Sequence, residues 1–351
     1  MQNLELPLVH ILMATCQGES YLQEQLDSIR HQTYSNWVLH VSDDASSDRT
    51  LEIVQAFKEL VEGVDHFVDK EQHRSNPGPA KVYVAQGPQK GPTQNFLKMV
   101  SQIGACEEQH TQQTMKKNGV SLSPNDLVAF CDQDDVWLPE KLERAVAWHL
   151  NELKANNECA DRPMLYATRS YLVNEMLEPM GLSKSLQGLL GFNAALVENV
   201  LSGNTMVMNV ALIRILKCIE LPNSVWHDWS AYLVATGCGG CVHWDKEPMV
   251  FYRQHQQNVI GVKTGLVEQF LRAFMVLKGR YKVWTHINLK AMKDIEPKLS
   301  TEALKLVNLY KEIRSEQSLW RRLSLIRHLS IRRQSRFLQI FFYVGLVMGL
   351  I

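Results

Sequence analysis

The chain carries no net charge, with 37 Lys and Arg against 37 Asp and Glu. Nucleic acid is therefore not a partner that the molecule as a whole would attract. Its seven cysteines among 351 residues are odd in number and irregularly spaced. That speaks against a disulfide framework and for reduced thiols in a cytoplasmic protein. The pair Cys238 and Cys241 has no second pair nearby, so it reads as two packed thiols rather than a redox or metal motif. The opening stretch from Met1 to Pro7 lacks the basic and long apolar segments of a signal peptide. The several membrane spans of a processive synthase are also missing, and we find no internal repeat. What remains is 45% hydrophobic, enough for one large core with an appendage or for two smaller ones.

The first half alternates strand-like and helix-like segments. Leu8 to Ala14 is a nearly continuous apolar run, as expected of a parallel strand covered on both faces. Glu19 to Gln32 follows, with Leu22, Leu26 and Ile29 at helical spacing. Trp37 to Ser42 reads as a second strand ending in Asp43 and Asp44. Ser47 or Asp48 then caps a helix carrying Leu51, Ile53, Val54, Phe57 and Leu60. This order predicts right-handed βαβ units in an open α/β sheet, whose ligands bind beyond the carboxyl ends of the strands. Arg74 to Lys90, rich in Pro and Gly, reads as loop, and Thr93 to Ile103 as helix. Glu107 to Pro124 has little periodicity and reads as a surface insertion.

The densest signal is Leu127-Val128-Ala129-Phe130 followed by Cys131-Asp132-Gln133-Asp134-Asp135. Three carboxylates directly after a buried strand are costly unless a cation or donors neutralise them. Oxygen ligands without a Cys/His cluster suit Mg²⁺ or Mn²⁺, ions that usually hold phosphates. Pro139 is well placed for the first turn of a helix through Leu142, Val146 and Leu150. Met164 to Thr168 and Thr205 to Met208 read as strands, Trp226 to Thr236 as a helix, and Cys241 to Trp244 and Pro248 to Tyr252 as closing strands. From about Gly265 the pattern turns helical and basic. Six arginines from Arg321 to Arg336 precede an apolar end, Phe337 to Ile351. At ~1.5 Å per residue that end is too short for a hydrocarbon core of ~30 Å. Its composition suits attachment to an anionic inner leaflet, and the alternative is a terminal helix docked on the body or on another subunit.

Taken in order, the chain resembles family 2 glycosyltransferases, and more closely their bacterial rhamnosyltransferase-like branch. The resemblance rests on Ala14-Thr15 with Gly18-Glu19, Ser42 to Thr50, Asn95-Phe96, Asp132 to Pro139 with Lys141, and Ser202 to Thr205. It continues through His227-Asp228-Trp229 and Tyr252 to His255 with Asn258 and Gly261. One carboxylate pair alone is weak evidence, and the ordered set is strong. It implies a GT-A-type fold: an open, mixed, mostly parallel sheet flanked by helices, here with a C-terminal helical appendage that is basic and then apolar. We expect residues 1–262 to form the nucleotide-sugar domain and 263–351 a helical region with a membrane-associating tail. The family usually has an aromatic residue and then Asn after the first-loop Thr; Cys16 and Gln17 stand there instead.

The resemblance implies an inverting, metal-dependent transfer of a sugar, with rhamnose as the candidate, from a dTDP- or UDP-sugar to a glycan or lipid-linked glycan. Asp134 would be the first ligand of Mg²⁺ or Mn²⁺, with His255 completing the shell. Asp132 would hold the donor ribose or reach the metal through water. Thr15, Glu19, Asp43, Asp44 and Asn95 would line the donor nucleotide pocket, with Asp44 nearer the base. Asp228 would be the general base, its aromatic flanks raising its pKa. Gly203, Asn204, Trp229 and Arg253 would lie on the acceptor and phosphate side. The expected location is the cytoplasmic face of the cell membrane, held peripherally by the tail. Two rivals stand beside this. A nucleotidyltransferase would need a Gly-rich, cationic phosphate loop, which Thr15 to Glu19 does not offer. A non-catalytic binding subunit would have no use for a base at Asp228.

Overall fold

The computed structural model describes residues 6–63, 80–104, 122–155, 161–186, 188, 190–255 and 279–351. The chain opens with strand β1 (Val9–Thr15), helix α1 (Leu22–Arg30), β2 (Trp37–Asp43) and α2 (Thr50–Glu62). Then come β3 (Lys81–Gln86), α3 (Pro92–Gln102), β4 (Leu127–Asp132), the two-residue β5 (Val136–Trp137) and α4 (Lys141–Ala155). The second half holds β6 (Met164–Val173), β7 (Pro179–Leu182), α5 (Phe192–Ala195), β8 (Val207–Asn209), α6 (Val210–Leu216), α7 (His227–Gly237) and β9 (Cys241–Arg253). Helices α8 (Arg280–Asp294), α9 (Thr301–Ser315), α10 (Leu319–Ile326) and α11 (Arg336–Val347) complete it.

The strands form one sheet in the order β3-β2-β1-β4-β8-β6-β9-β5, with β7 on β6. β3, β2, β1 and β4 run parallel, β8 is antiparallel to both β4 and β6, and β9 returns parallel to β6. The expected mixed, mostly parallel α/β sheet is therefore present, with helices at its C-terminal end.

Period-two alternation assigns each strand residue to a face. Val9, Ile11 and Met13 of β1 and Leu127, Ala129 and Cys131 of β4 pack with Leu22, Leu26, Val54, Phe57 and Leu142 of α1, α2 and α4. Leu12, Val128 and Phe130 point the other way, into a core shared with α3, α6 and α7. Both faces being covered is why these strands read as unbroken apolar runs.

The segment read as loop near Arg74 to Lys90 contains β3. Only Val82 of that strand is fully buried, and it pairs with β2 alone at the sheet's edge. An edge strand that buries one side chain leaves almost no apolar pattern, and Pro and Gly around it point to turns. The two closing strands merge into one, β9, kept in register with β6 through irregularities near Arg169. Most of the expected insertion from Glu107, and the boundary at 262, lie outside the described residues, as do Asn258 and Gly261.

The C-terminal helices do not build a separate core. Tyr281, Leu289, Met292, Val307, Tyr310, Ile313, Phe342 and Leu346 join the same apolar cluster as Trp229 and Tyr232 of α7. No helix among the described residues is long and apolar enough to cross a membrane.

Candidate active site

Parallel pairing in register brings Thr15, Asp43 and Gln86 to one level, with Asp132 beside Ala14. The loops after β1, β2, β3 and β4 therefore leave the sheet together, at its carboxyl edge. Each of the first three contains a non-glycine residue in the left-handed region: Gln17 (φ 51°), Ala45 (φ 66°) and Gln89 (φ 58°). Left-handed backbone is uncommon outside Gly and favours Asn among the rest. That accounts for Asn where Gln17 stands here.

Asp43 and Asp44 face different ways. Asp43 is buried and accepts from Thr15 Oγ1 (2.8 Å), Ser46 N (2.8 Å) and Ser46 Oγ (2.6 Å). It closes the turn after β2, with Thr15 as its partner. Asp44 is half-buried and accepts from Gln89 N (2.5 Å) and Gly91 N (2.9 Å), which tie the loop after β3 to the loop after β2. Glu19 is exposed and accepts from Arg49 N (3.1 Å), while its own N–H donates to Asp48 (3.0 Å). Asn95 is buried; its Nδ2 donates to Ser42 O (2.7 Å), and its Oδ1 has no partner. Expected as a donor contact, Asn95 holds the end of β2 from its place on α3.

Gln133, between the two key aspartates, had no role assigned from sequence. Its Oε1 accepts from Cys16 N (2.8 Å) and its Nε2 donates to Cys16 O (2.9 Å). This two-bond clamp joins the carboxylate loop to the first loop. It needs Gly18, where a Cβ would lie 2.5 Å from Gln133 Oε1.

The carboxylate loop has a buried floor and an open edge. Asp135 is fully buried and accepts from Asn204 Nδ2 and from Arg253 N (3.2 Å). Burial, then Asp134 and Asp132, pushes its carboxyl well above the usual range. Lys141, also fully buried, lies 3.6 Å over the Trp137 ring and is pushed down to about 7 by burial. Asp134 keeps its carboxylate toward β9, where its Oδ2 lies 2.7 Å from His255 Nε2. Asp132 is pushed up to about 8 by burial, and then by the charges of Asp134 and Asp228.

Asp228 stands in the first turn of α7 and reaches this cluster from the other side of the cleft. Burial raises it to about 6, against hydrogen bonds from Trp229 N (2.7 Å), the Asn199 side chain and Gly203 N. Gly203 must be glycine: a Cβ there would lie 2.8 Å from His227 Nε2 and 3.2 Å from Asp228 Cβ. The His227 ring stacks on Phe96 (4.1 Å between centroids) and meets Phe130 edge-on.

Three residues expected on the acceptor or phosphate side are held by partners inside the fold. Asn204 is buried and supports Asp135. Trp229 is core: it donates from Nε1 to Ala195 O (2.6 Å) and stacks on Trp226. At the third helical position its ring turns from the cleft toward α8. Arg253 is buried, donating to Asp134 O (2.9 Å), Glu175 O and Glu24 while packing over Tyr21. Its guanidinium braces the carboxylate loop. No single-residue signal marked Asn199, Tyr21 or Glu24, because their roles come from what packs beside them.

Among the described residues, no three His, Cys, Asp or Glu side chains form a ready metal-ligand group. Two protein ligands with phosphate and water oxygens nevertheless suit Mg²⁺ or Mn²⁺. The Asp134–His255 pair, with Asp132 raised by burial and then by neighbouring negative charge, fits such an ion. A cation arriving there would relieve the clustered charge.

The family model for glycosyl transferase family 2 matches residues 10–84 of the chain. A dTDP-rhamnosyl transferase, RfbG of Shigella flexneri, is 24% identical over 279 residues, covering 77% of this chain and 81% of its own. In fold, the chain resembles residues 1–349 of S. aureus TarS, whose crystal structure is a complex with UDP-GlcNAc. The TM-score is 0.50 at 15% identity, over 98% of this chain and 89% of that one.

Proposed function

We propose that this chain is a family 2 glycosyltransferase, as the family match over residues 10–84 and the likeness to a dTDP-rhamnosyl transferase support, and that it moves one sugar, with inversion, from a nucleoside-diphosphate sugar to a hydroxyl of a cell-surface glycan. The observation that carries this reading is the meeting of Asp132, Asp134 and Asp228, carboxylates from two separate elements, at one cleft, where burial and then the charges of Asp134 and Asp228 raise Asp132. Rhamnose from dTDP-rhamnose is the first donor to try, by likeness to the Shigella flexneri relative. A UDP-sugar is the second, since the S. aureus relative is seen with one.

The acceptor hydroxyl attacks the anomeric carbon from the side of Asp228. Asp228 takes the hydroxyl proton as the new C–O bond forms. The bond from the anomeric carbon to the diphosphate oxygen breaks in the same step, and the nucleoside diphosphate leaves with the electron pair. The raised pKa of Asp228 suits a base that must hold the proton until the product departs. Half-buried Asp44 presents an acceptor toward N–H and O–H groups of the nucleoside, while Gln133 and Asp43 hold its walls. Mg²⁺ or Mn²⁺, held by Asp134 and His255 and reached by Asp132, would supply positive charge to the leaving diphosphate. Residues 1–262 would carry this chemistry. Residues 263–351 would brace it and face the inner leaflet, as a peripheral enzyme of lipid-linked glycan or O-antigen-type assembly.

The test is nucleoside diphosphate release from a panel of nucleotide sugars with Mg²⁺ or Mn²⁺, against EDTA. We expect release from one or two donors, abolished by EDTA and by Asp134→Ala. Turnover that survives both would reject the metal assignment.

A further inference from the structure

The tail is half docked and half bare. α11 buries Leu338, Phe342, Gly345 and Leu346 against the body. On its other side Arg336, Ile340, Val344 and Met348 recur every fourth residue, so they form one stripe along the helix. Ile340, Val344 and Met348 are 64%, 45% and 62% exposed. α10 packs on α11 without burying a residue of its own, and leaves Leu319 at 49% and Trp320 at 81% exposed. Single exposed apolar side chains are normal on a surface, whereas five on two helices packed together are the kind of grouping that marks a contact face.

Charge is segregated in the same place. Residues 317–351 contain six arginines and no lysine, aspartate or glutamate, in a chain whose net charge is zero. Two of the six work internally: Arg322 donates to Val347 O (2.9 Å), tying α10 to the end of α11, and Arg333 pairs with Glu198 (3.2 Å). Arg321 pairs with Glu316 at 3.1 Å. Arg327, Arg332 and Arg336 stay exposed. An apolar stripe with an open tryptophan, rimmed by cations, has the chemistry of an anionic bilayer surface. A second copy of this chain fits poorly, because a two-fold contact would set these arginines against their own images.

The docked side of the tail leads to the candidate base. Glu198 accepts from Arg333 and from Gln334 N (2.9 Å). The next residue, Asn199, hydrogen-bonds Asp228. We propose that the exposed face of α10 and α11 docks on an anionic lipid surface.

The experiment is co-sedimentation of the full chain with vesicles of phosphatidylglycerol and phosphatidylcholine, or of phosphatidylcholine alone, at low and high salt. Nucleoside diphosphate release in solution is measured on the same variants. We expect binding to the anionic vesicles only, weakened by salt. R327Q/R332Q/R336Q should lower it about a hundredfold, the weight of three cations at such a surface. W320S/I340S should lower it about tenfold or more by removing the apolar contact. Both variants should release diphosphate as the parent does. Absence of vesicle binding, equal binding to neutral vesicles, or self-association dissolved by W320S/I340S in place of lipid binding would each overturn the proposal. Lipid binding without any diphosphate release would uphold the surface and reject the transferase reading.

Discussion

The two walls of the cleft handle negative charge in opposite ways. On the wall built by β1, β2 and β3, the carboxylates are already answered by protein donors: Asp43 by Thr15 and Ser46, Asp44 by two backbone N–H groups, and Asp48 by Thr50 and Glu19 N. Hydrogen bonds hold Asp48 below the usual carboxylate range despite some burial. On the wall built by β4, β9 and α7, Asp132, Asp135 and Asp228 are all raised, each by burial first. A carboxylate satisfied by the fold is a finished part of a pocket. One left short of positive charge is set to take a proton or a cation. In the proposed reading the first wall receives the nucleotide and the second does the chemistry.

That contrast can be broken at four points. The largest effect should come from Asp228→Asn, which keeps an oxygen for Trp229 N and Gly203 N but cannot accept the proton. Loss of a general base costs about 10² to 10⁴ in rate, so turnover should fall in that range while thermal stability holds. Parent-like turnover would remove Asp228 from the mechanism.

Next comes pH. Because the proposed base, Asp228, would act only when ionised and is raised to about 6, the log of kcat/KM should climb with unit slope up to that pH and level off above it. A bend near 4 would mean that burial does not govern this group. Third, Gln133→Ala removes both bonds to Cys16 without touching the acidic cluster. Donor KM should rise about tenfold, from two lost bonds of about 1 kcal/mol each partly replaced by water, with kcat little changed. A fall in kcat at constant KM would move Gln133 to the chemical wall.

The smallest effect belongs to Gln17→Asn. Asn tolerates the left-handed backbone better, yet is too short to keep the Ser47 contacts at 3.0 and 3.2 Å. Stability should move by less than about 1 kcal/mol in either direction, as denaturant midpoints would show. A larger change would mean that the first loop carries more strain than this balance allows.

Sequence by itself determined the alternation of strands and helices, the places where carboxylates end strands, and the position of Asp228 at the start of α7. Each is set within a few residues, by period and by the cost of leaving charge at the end of a buried strand. The resemblance to a known family added the order in which those places should work together. Only the tertiary structure decided which polar residues face the cleft and which hold it up. Asn95, Asn204, Trp229 and Arg253 are all buried side chains whose partners lie far away in the chain, at Ser42, Asp135, Ala195 and Asp134. Edge strand β3 was equally illegible, since a strand that buries little leaves no apolar signature. The tail shows both limits at once. Its composition announced a basic and apolar helix, but only packing decided that one side of α11 joins the body and the other stays bare. Local pattern follows from neighbours in sequence, whereas the direction a side chain finally takes depends on contacts that folding alone brings within reach.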